Sequence, residues 1–209
     1  MIKQSKGFSL VEMAVVLVIL GFVISALLLP MSAQREIRAI DANRQSLQEI
    51  HDAVLGFTLL NGRLPCPATV SASQLVAGGV EDCSVTALGA EGFLPWCTLN
   101  IASTDAWGSA WRYRVDRGFA DATTFGTRML AAASASIFSD NLGLQDANGN
   151  SLLSTMAGAE RPIAIIYSVG KNQVADGQNA IADNIYELSD FSPVYDDMLI
   201  WIARPALLN

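Results

Sequence analysis

Lys6-Gly7-Phe8-Ser9-Leu10-Val11-Glu12, with the apolar run behind it to Met31, decides how this chain is read. A small residue, Gly7, stands between a basic leader carrying Lys3 and Lys6 and a long hydrophobic segment opened by Phe8. Glu12 is the one charge between Phe8 and Met31. A helix needs about 20 apolar residues to span a bilayer, and this run is long enough. A carboxylate inside such a segment costs about 2.5–3.5 kcal/mol at the bilayer centre and less near the end, where Glu12 lies. Lipid offers it no compensation, so Glu12 calls for a cationic partner. An ordinary secretory signal places its apolar region before the cut. Here the small-residue junction, Gly7, precedes that region, so the helix is expected to be retained.

These residues closely resemble the N-terminus of type IV pilins and type II secretion pseudopilins. That family shares a Gly, then Phe-Thr/Ser-Leu-(Val/Ile)-Glu, then an unbroken apolar helix. The matching residues are Gly7, Phe8-Ser9-Leu10-Val11-Glu12 and the run from Met13 to Gly21. The resemblance implies that a prepilin peptidase cuts between Gly7 and Phe8 and methylates the new Phe8 amine. It implies that Glu12 pairs with the N-terminal amine of a neighbouring subunit during assembly. It also puts the leader in the cytoplasm. Positive charges alone leave the orientation open, because Lys3 and Lys6 on one side face Arg35, Arg38 and Arg44 on the other.

The chain has 209 residues and a formal charge of −7. Once a leader and long helix account for the first 60 residues or so, enough chain remains for one domain with a sizeable core. The acidic balance and the lack of a basic cluster argue against bulk nucleic-acid binding. There is one histidine, His51, and there are three cysteines, Cys66, Cys83 and Cys97, with no Cys-x-x-Cys pair. No common zinc pattern can be drawn from these residues.

Residues 8 to about 60 read as one helix, apolar all round in its first half. Pro30 is expected to kink it rather than end it, because helical periodicity resumes directly. Ile37, Ile40, Leu47, Ile50, Val54 and Phe57 then recur at three- and four-residue steps, a face that calls for a globular partner from Ile37 onward. Asn61-Gly62 supplies the stop. Residues 66–104 read as a long loop, anchored at Gly92-Phe93-Leu94-Pro95-Trp96. Ala110–Val115 alternates apolar and basic residues, as a half-buried strand should. Thr127–Ala133 is a weaker strand candidate, Pro162–Val169 the best central strand and Met198–Arg204 a closing strand. Asp140–Ser154 and Asn172–Asn184 read as polar loops. No helix between the strands is long enough for repeated crossovers, which predicts an antiparallel sheet with the helix on one face.

Asp105-Ala106-Trp107-Gly108, Tyr167-Ser168-Val169-Gly170 and Tyr195-Asp196-Asp197-Met198 resemble further features of the pseudopilins, with Ala106 where those carry Pro. In such relatives the loop before the closing strand binds calcium. That makes Asp176, Asp183, Asp196 and Asp197 candidate oxygen ligands here, although Lys171-Asn172 departs from the acidic pattern; the other reading is a solvated polar loop with ordinary turn carboxylates and no cofactor. Asp146–Ser151 opens like an EF-hand but lacks Gly at the sixth position and Glu at the twelfth, so it reads as a turn. No phosphate loop and no nucleophile–base arrangement stands out, and His51 reads as a boundary residue.

For the thiols, sequence allows three pairings. Cys66–Cys83 is favoured, with Cys66–Cys97 the runner-up. Both members of the favoured pair sit in the loop-rich stretch, where closing about 18 residues is worth roughly 3 kcal/mol. Cys97, after Pro95-Trp96, is expected to be a free, buried thiol.

The expectation is an α+β, pilin-like chain. It comprises a leader at 1–7, a transmembrane and filament-core helix at 8–31, an amphipathic continuation at 32–61 and a periplasmic domain at 62–209. It is read as a structural subunit and not an enzyme, either a pseudopilin or a minor pilin of a type II secretion pseudopilus or type IV pilus-like filament. The implied location is the inner membrane as a single-pass protein, then the filament. The implied partners are prepilin peptidase, other pilin or pseudopilin subunits, an inner-membrane assembly platform and membrane lipid. The alternative is a membrane-anchored periplasmic binding module that never polymerises. Such a module would share the helix and the domain but would need neither Gly7 before Phe8 nor Glu12.

Overall fold

Leu10 begins a helix, α1, that runs unbroken to Asn61 and passes through Pro30 without ending. The computed structural model describes residues 9–69, 78–84, 90–131, 138–154 and 160–204, and for 26–33 it gives the helical backbone alone. The leader, Gly7 and Phe8 therefore lie outside the described residues. The chain divides into two compact units, Met1–Asp41 and Ala42–Asn209.

In the first unit, the described apolar side chains of α1 are exposed on every side, from Leu10 and Val11 through Phe22 to Ile24. Ser25 satisfies its hydroxyl internally by donating to the Gly21 carbonyl at 2.8 Å, as a polar group in an apolar helix must. Among the described residues no helix is long and apolar enough to cross a membrane. The described side chains of the apolar run stop at Ser25.

In the second unit, α1 buries Asn43, Leu47, Ile50, Val54 and Thr58, a stripe at three- and four-residue spacing. The buried face thus begins later than the apolar pattern suggests, since Ile37 is 59% exposed. Two polar residues belong to it. Asn43 accepts from the Ala106 N–H and donates to the Met198 sulfur, both at 3.3 Å. Thr58 donates to the Val54 carbonyl. Gly62, at φ +64, stops the helix and donates its N–H to the Thr58 carbonyl.

Among the described residues the remaining α-helices and strands are β1 (Gly92–Phe93), α2 (Trp96–Leu99), β2 (Arg112–Val115), α3 (Arg117–Ala120), α4 (Ala122–Leu130), β3 (Gly143–Gln145), β4 (Pro162–Ser168), β5 (Ile185–Glu187) and β6 (Met198–Ala203). Four of the strands form one antiparallel sheet in the order β1-β2-β4-β6. β4 is buried at every position. Its continuous β-branched run fits this, because a strand covered on both faces has no polar side to show. Ala164 and Ile166 join Leu47, Ile50, Val54, Tyr113, Val115 and Ile202 in one cluster. Ile165 and Tyr167 join Leu142, Leu144, Tyr186 and Leu199 in the other. Each such buried aliphatic side chain contributes about 1.5–3 kcal/mol. Pro162, which has no N–H to donate, sits at the irregular start of the β4–β6 pairing.

Three expectations are corrected. Thr127–Leu130 is not a strand but ends α4, whose N-cap Asp121 accepts from the Thr123 N–H, and Ala132 and Ala133 lie outside the described residues. That cap outweighs the weak β preference of Thr123, Thr124 and Thr127. Asp140–Ser154 is more than a loop, since it contributes β3, which pairs in parallel with β5 and covers the second face of the sheet. β2 is consequently buried on both faces, and Arg114 is only 6% exposed.

Candidate functional site

The expected disulfide is present: Cys66 and Cys83 are bonded, 17 positions apart. Within the loop it closes, Glu81 receives Arg63 through two hydrogen bonds of 2.8 and 2.7 Å and the Cys66 N–H at 3.0 Å. Burial alone would raise the Glu81 carboxyl. The Arg63 and Cys66 hydrogen bonds and the Arg63 charge outweigh it and hold it below its ordinary value. Cys97 is free but exposed, against expectation. In the single turn of α2, Trp96 takes the buried position, and the Cys97 N–H bonds the Gly79 carbonyl. The thiol is thereby turned outward.

The second site grows from the end of β4. Asp105 accepts from the N–H groups of Trp107 and Ser109 at 2.9 and 2.8 Å, closing the Asp105–Gly108 turn. Its other oxygen accepts from the Ser168 hydroxyl at 2.6 Å, and that hydroxyl accepts in turn from the Gly170 N–H. Gly170, at φ +68, then bends the chain away from β4. The loop it opens folds back on the residues before β6. Asp196 accepts from the Asn172 N–H, Asp176 from the Asp196 N–H and Asp197 from the Asp176 N–H, each at 2.9 Å. Asn179 donates to the same Asp197 oxygen.

Asp176, Asp196 and Asp197 converge here, with one oxygen from each lying within 4.8 Å of the others. Asp196 Oδ1 and Asp197 Oδ1 are buried without a hydrogen-bond partner. Burial pushes the Asp197 carboxyl up to about 7 and raises Asp196 as well, with neighbouring carboxylates adding to both. Two orphaned carboxylate oxygens in an all-oxygen cluster fit a hard divalent cation, and the set suits calcium. Asp183, the fourth candidate, lies outside the cluster. Its oxygens accept from the Ile185 N–H and the Gln178 side chain.

Asp146 closes a turn by accepting from Asn148 and Asn150, in line with the turn expected there. His51 lies partly exposed beside Asp52, 3.2 Å away. The Arg63–Glu81 pair and the Asn43 link carry no local signal, because their partners lie 18 and 155 positions away.

Glu12 stands exposed in the first turn of α1, where a helix N-terminus favours a negative charge. Around it, residues 2–28 match the family model described as the prokaryotic N-terminal methylation motif. No curated protein and no solved structure matches the chain. With Gly7-Phe8 at its junction and Glu12 inside the helix, this segment is the signature of type IV pilins and pseudopilins, and it marks a pilin-like protein processed by prepilin peptidase.

Proposed function

We propose that the chain is a structural subunit, a pseudopilin or minor pilin, that assembles into a type II secretion pseudopilus or a type IV pilus-like filament. Prepilin peptidase cuts between Gly7 and Phe8 and methylates the Phe8 amine. The mature protein waits in the inner membrane as a single-pass protein with its domain in the periplasm. It then moves into the filament, where the apolar half of α1 forms the core and Glu12 pairs with the Phe8 amine of a neighbour. The methylation motif at residues 2–28 carries this reading. The exposed apolar surface of α1 supports it, since such a surface calls for lipid or other helices. So does the Cys66–Cys83 disulfide, which belongs to an oxidising compartment.

The test is deletion of the gene, with sheared surface filaments and secreted proteins scored side by side, together with intact mass of the membrane-purified protein. The expected results are loss of filaments or of secretion, and a mature chain lacking residues 1–7. A mature protein that keeps Met1, or a deletion that changes neither filaments nor secretion, overturns the proposal.

A further inference from the structure

β2 carries two arginines, Arg112 and Arg114, in alternation with Tyr113 and Val115 of the helix-side cluster. Strand alternation therefore puts both arginines on the opposite face. There they line a cavity of about 390 Å³ whose other walls include Glu91, Asp183, Asn184 and the segment from Ala180 to Ala182. This volume is near the lower end of the range for small-molecule sites, about 300–1,000 Å³.

The two guanidinium groups are compensated unequally. Arg112 lies against Glu91, with Nε at 2.9 Å and a terminal nitrogen at 2.7 Å. The Glu91 carboxylate is also engaged by the hydroxyls of Tyr167 and Tyr186, at 3.0 and 2.9 Å. Arg114 is more buried, at 6% exposure, yet among the described residues it donates only to the neutral Asn184 amide oxygen at 2.5 Å. The Asn184 amide is held in that orientation because its nitrogen donates to the Asp140 carbonyl. Arg114 Nε is buried with no partner.

Neighbouring acids are engaged elsewhere. The Asp140 carboxylate takes Arg117, and Asp183 takes the Ile185 N–H and the Gln178 side chain. Among the described residues no carboxylate pairs with Arg114. A buried cation without an anionic partner is strongly disfavoured, and this one stands at the wall of a cavity.

We propose that this cavity binds a small organic monocarboxylate, with the ligand's carboxylate paired to Arg114. Arg114 lacks a carboxylate at hydrogen-bond distance among the described residues, a place a monocarboxylate can take, while Glu91 and Asp183 on the same wall disfavour a phosphate dianion. Ala90, Ala180, Ile181 and Ala182, the apolar residues of the lining, suit the ligand's short hydrocarbon part. The site is independent of filament assembly and stands whether or not the chain polymerises.

The test is calorimetric titration of the full chain in detergent with butyrate at constant ionic strength, with inorganic phosphate in a parallel arm. Saturable butyrate binding is expected, weakened at least about tenfold by Arg114→Gln through loss of a charge-assisted hydrogen bond. Because Arg114→Gln can unfold the domain, Ala182→Glu provides a second variant. Ala182 is exposed at the cavity wall, so the substitution is compatible with folding and tethers a competing carboxylate at the site. It is expected to weaken butyrate at least about tenfold while the circular dichroism and melting temperature stay at the wild-type values. Absence of saturable butyrate binding, binding unchanged in Ala182→Glu, or phosphate binding as tight as butyrate overturns the proposal.

Discussion

Gly170 lies so close to Asp196 that a β-carbon at position 170 would sit 2.2 Å from Asp196 Oδ1 and 2.4 Å from the Asp196 carbonyl oxygen. The end of β4 and the start of β6 are thus locked at van der Waals contact by the absence of a side chain. Gly170→Ala meets two penalties, the positive φ of 68° and the clash with backbone. The expected loss is about 2–4 kcal/mol, read by urea or thermal unfolding. A variant within a few tenths of a kcal/mol of wild type would show that the Asp196 loop is not held as described.

The same contact sets the geometry of the three carboxylates. Calcium is expected to raise the melting temperature of the full chain by about 3–6 °C at tenfold excess over Kd, because binding to the folded state alone then adds about 1.4 kcal/mol. Chelator should reverse the shift. Magnesium should produce much less, since it demands a stricter octahedron. Asp196→Asn should abolish the response, while Asp183→Asn, outside the cluster, should keep it. Equal responses to calcium and magnesium, or a response lost in Asp183→Asn alone, would refute this assignment.

Glu81 predicts an acid limb. Its folded carboxyl is held below the ordinary value, so its contribution is fully present above the unfolded pKa of about 4.3 and is lost as pH falls through the lower folded value. Wild type should therefore lose stability more steeply than Glu81→Gln below about pH 4.5. Denaturant midpoints of the disulfide-intact proteins between about pH 3 and 6 measure this difference. Parallel curves for the two proteins would show that the Arg63 pair adds nothing.

The exposed Cys97 thiol should react at once with a maleimide in the native protein, while Cys66 and Cys83 react only after reduction. Peptide mapping of the labelled chain checks both statements. Native protection of Cys97, or a linked peptide containing it, would contradict the observed arrangement.

Much of this molecule was legible locally. The Gly7–Glu12 signature can be read as a linear pattern because consecutive residues carry it, within the motif matched at residues 2–28. β4 and β6 announced themselves by apolar β-branched runs, and Cys66 and Cys83 by sharing one loop-rich stretch. What could not be read depends on distant partners. The buried stripe of α1 starts at Asn43, a polar residue, because Ala106 and Met198 are there to satisfy it. Arg114 suggested a solvent-facing side of β2, whereas the β3–β5 pair covers that side. Asp183 looks like its neighbours in sequence, but the Gln178 side chain and Ile185 N–H hold it outside the carboxylate cluster. Cys97 reads as apolar by its neighbours, yet one turn of α2 sends Trp96 inward and the thiol outward.

Glu12→Val is expected to separate insertion from assembly. It stands in the first turn of α1 among exposed apolar side chains, with Leu10, Val11, Met13 and Val15 around it. In lipid its charge is a burden, so Glu12→Val removes a cost of up to about 2.5–3.5 kcal/mol and should insert at least as well as wild type. In a filament the same carboxylate is expected to meet the Phe8 amine of a neighbour, and valine cannot replace that ion pair. When co-expressed with wild type, the variant should be cleaved and recovered in the membrane in full, yet enter sheared filaments at about a tenth of the wild-type level or less, if the buried pair is worth about 1.4 kcal/mol or more. Membrane fractionation measures the first quantity, and quantitative mass spectrometry of filaments the second. Undiminished incorporation of Glu12→Val would show that the carboxylate is dispensable for assembly. A variant lost from the membrane would place its role in insertion instead.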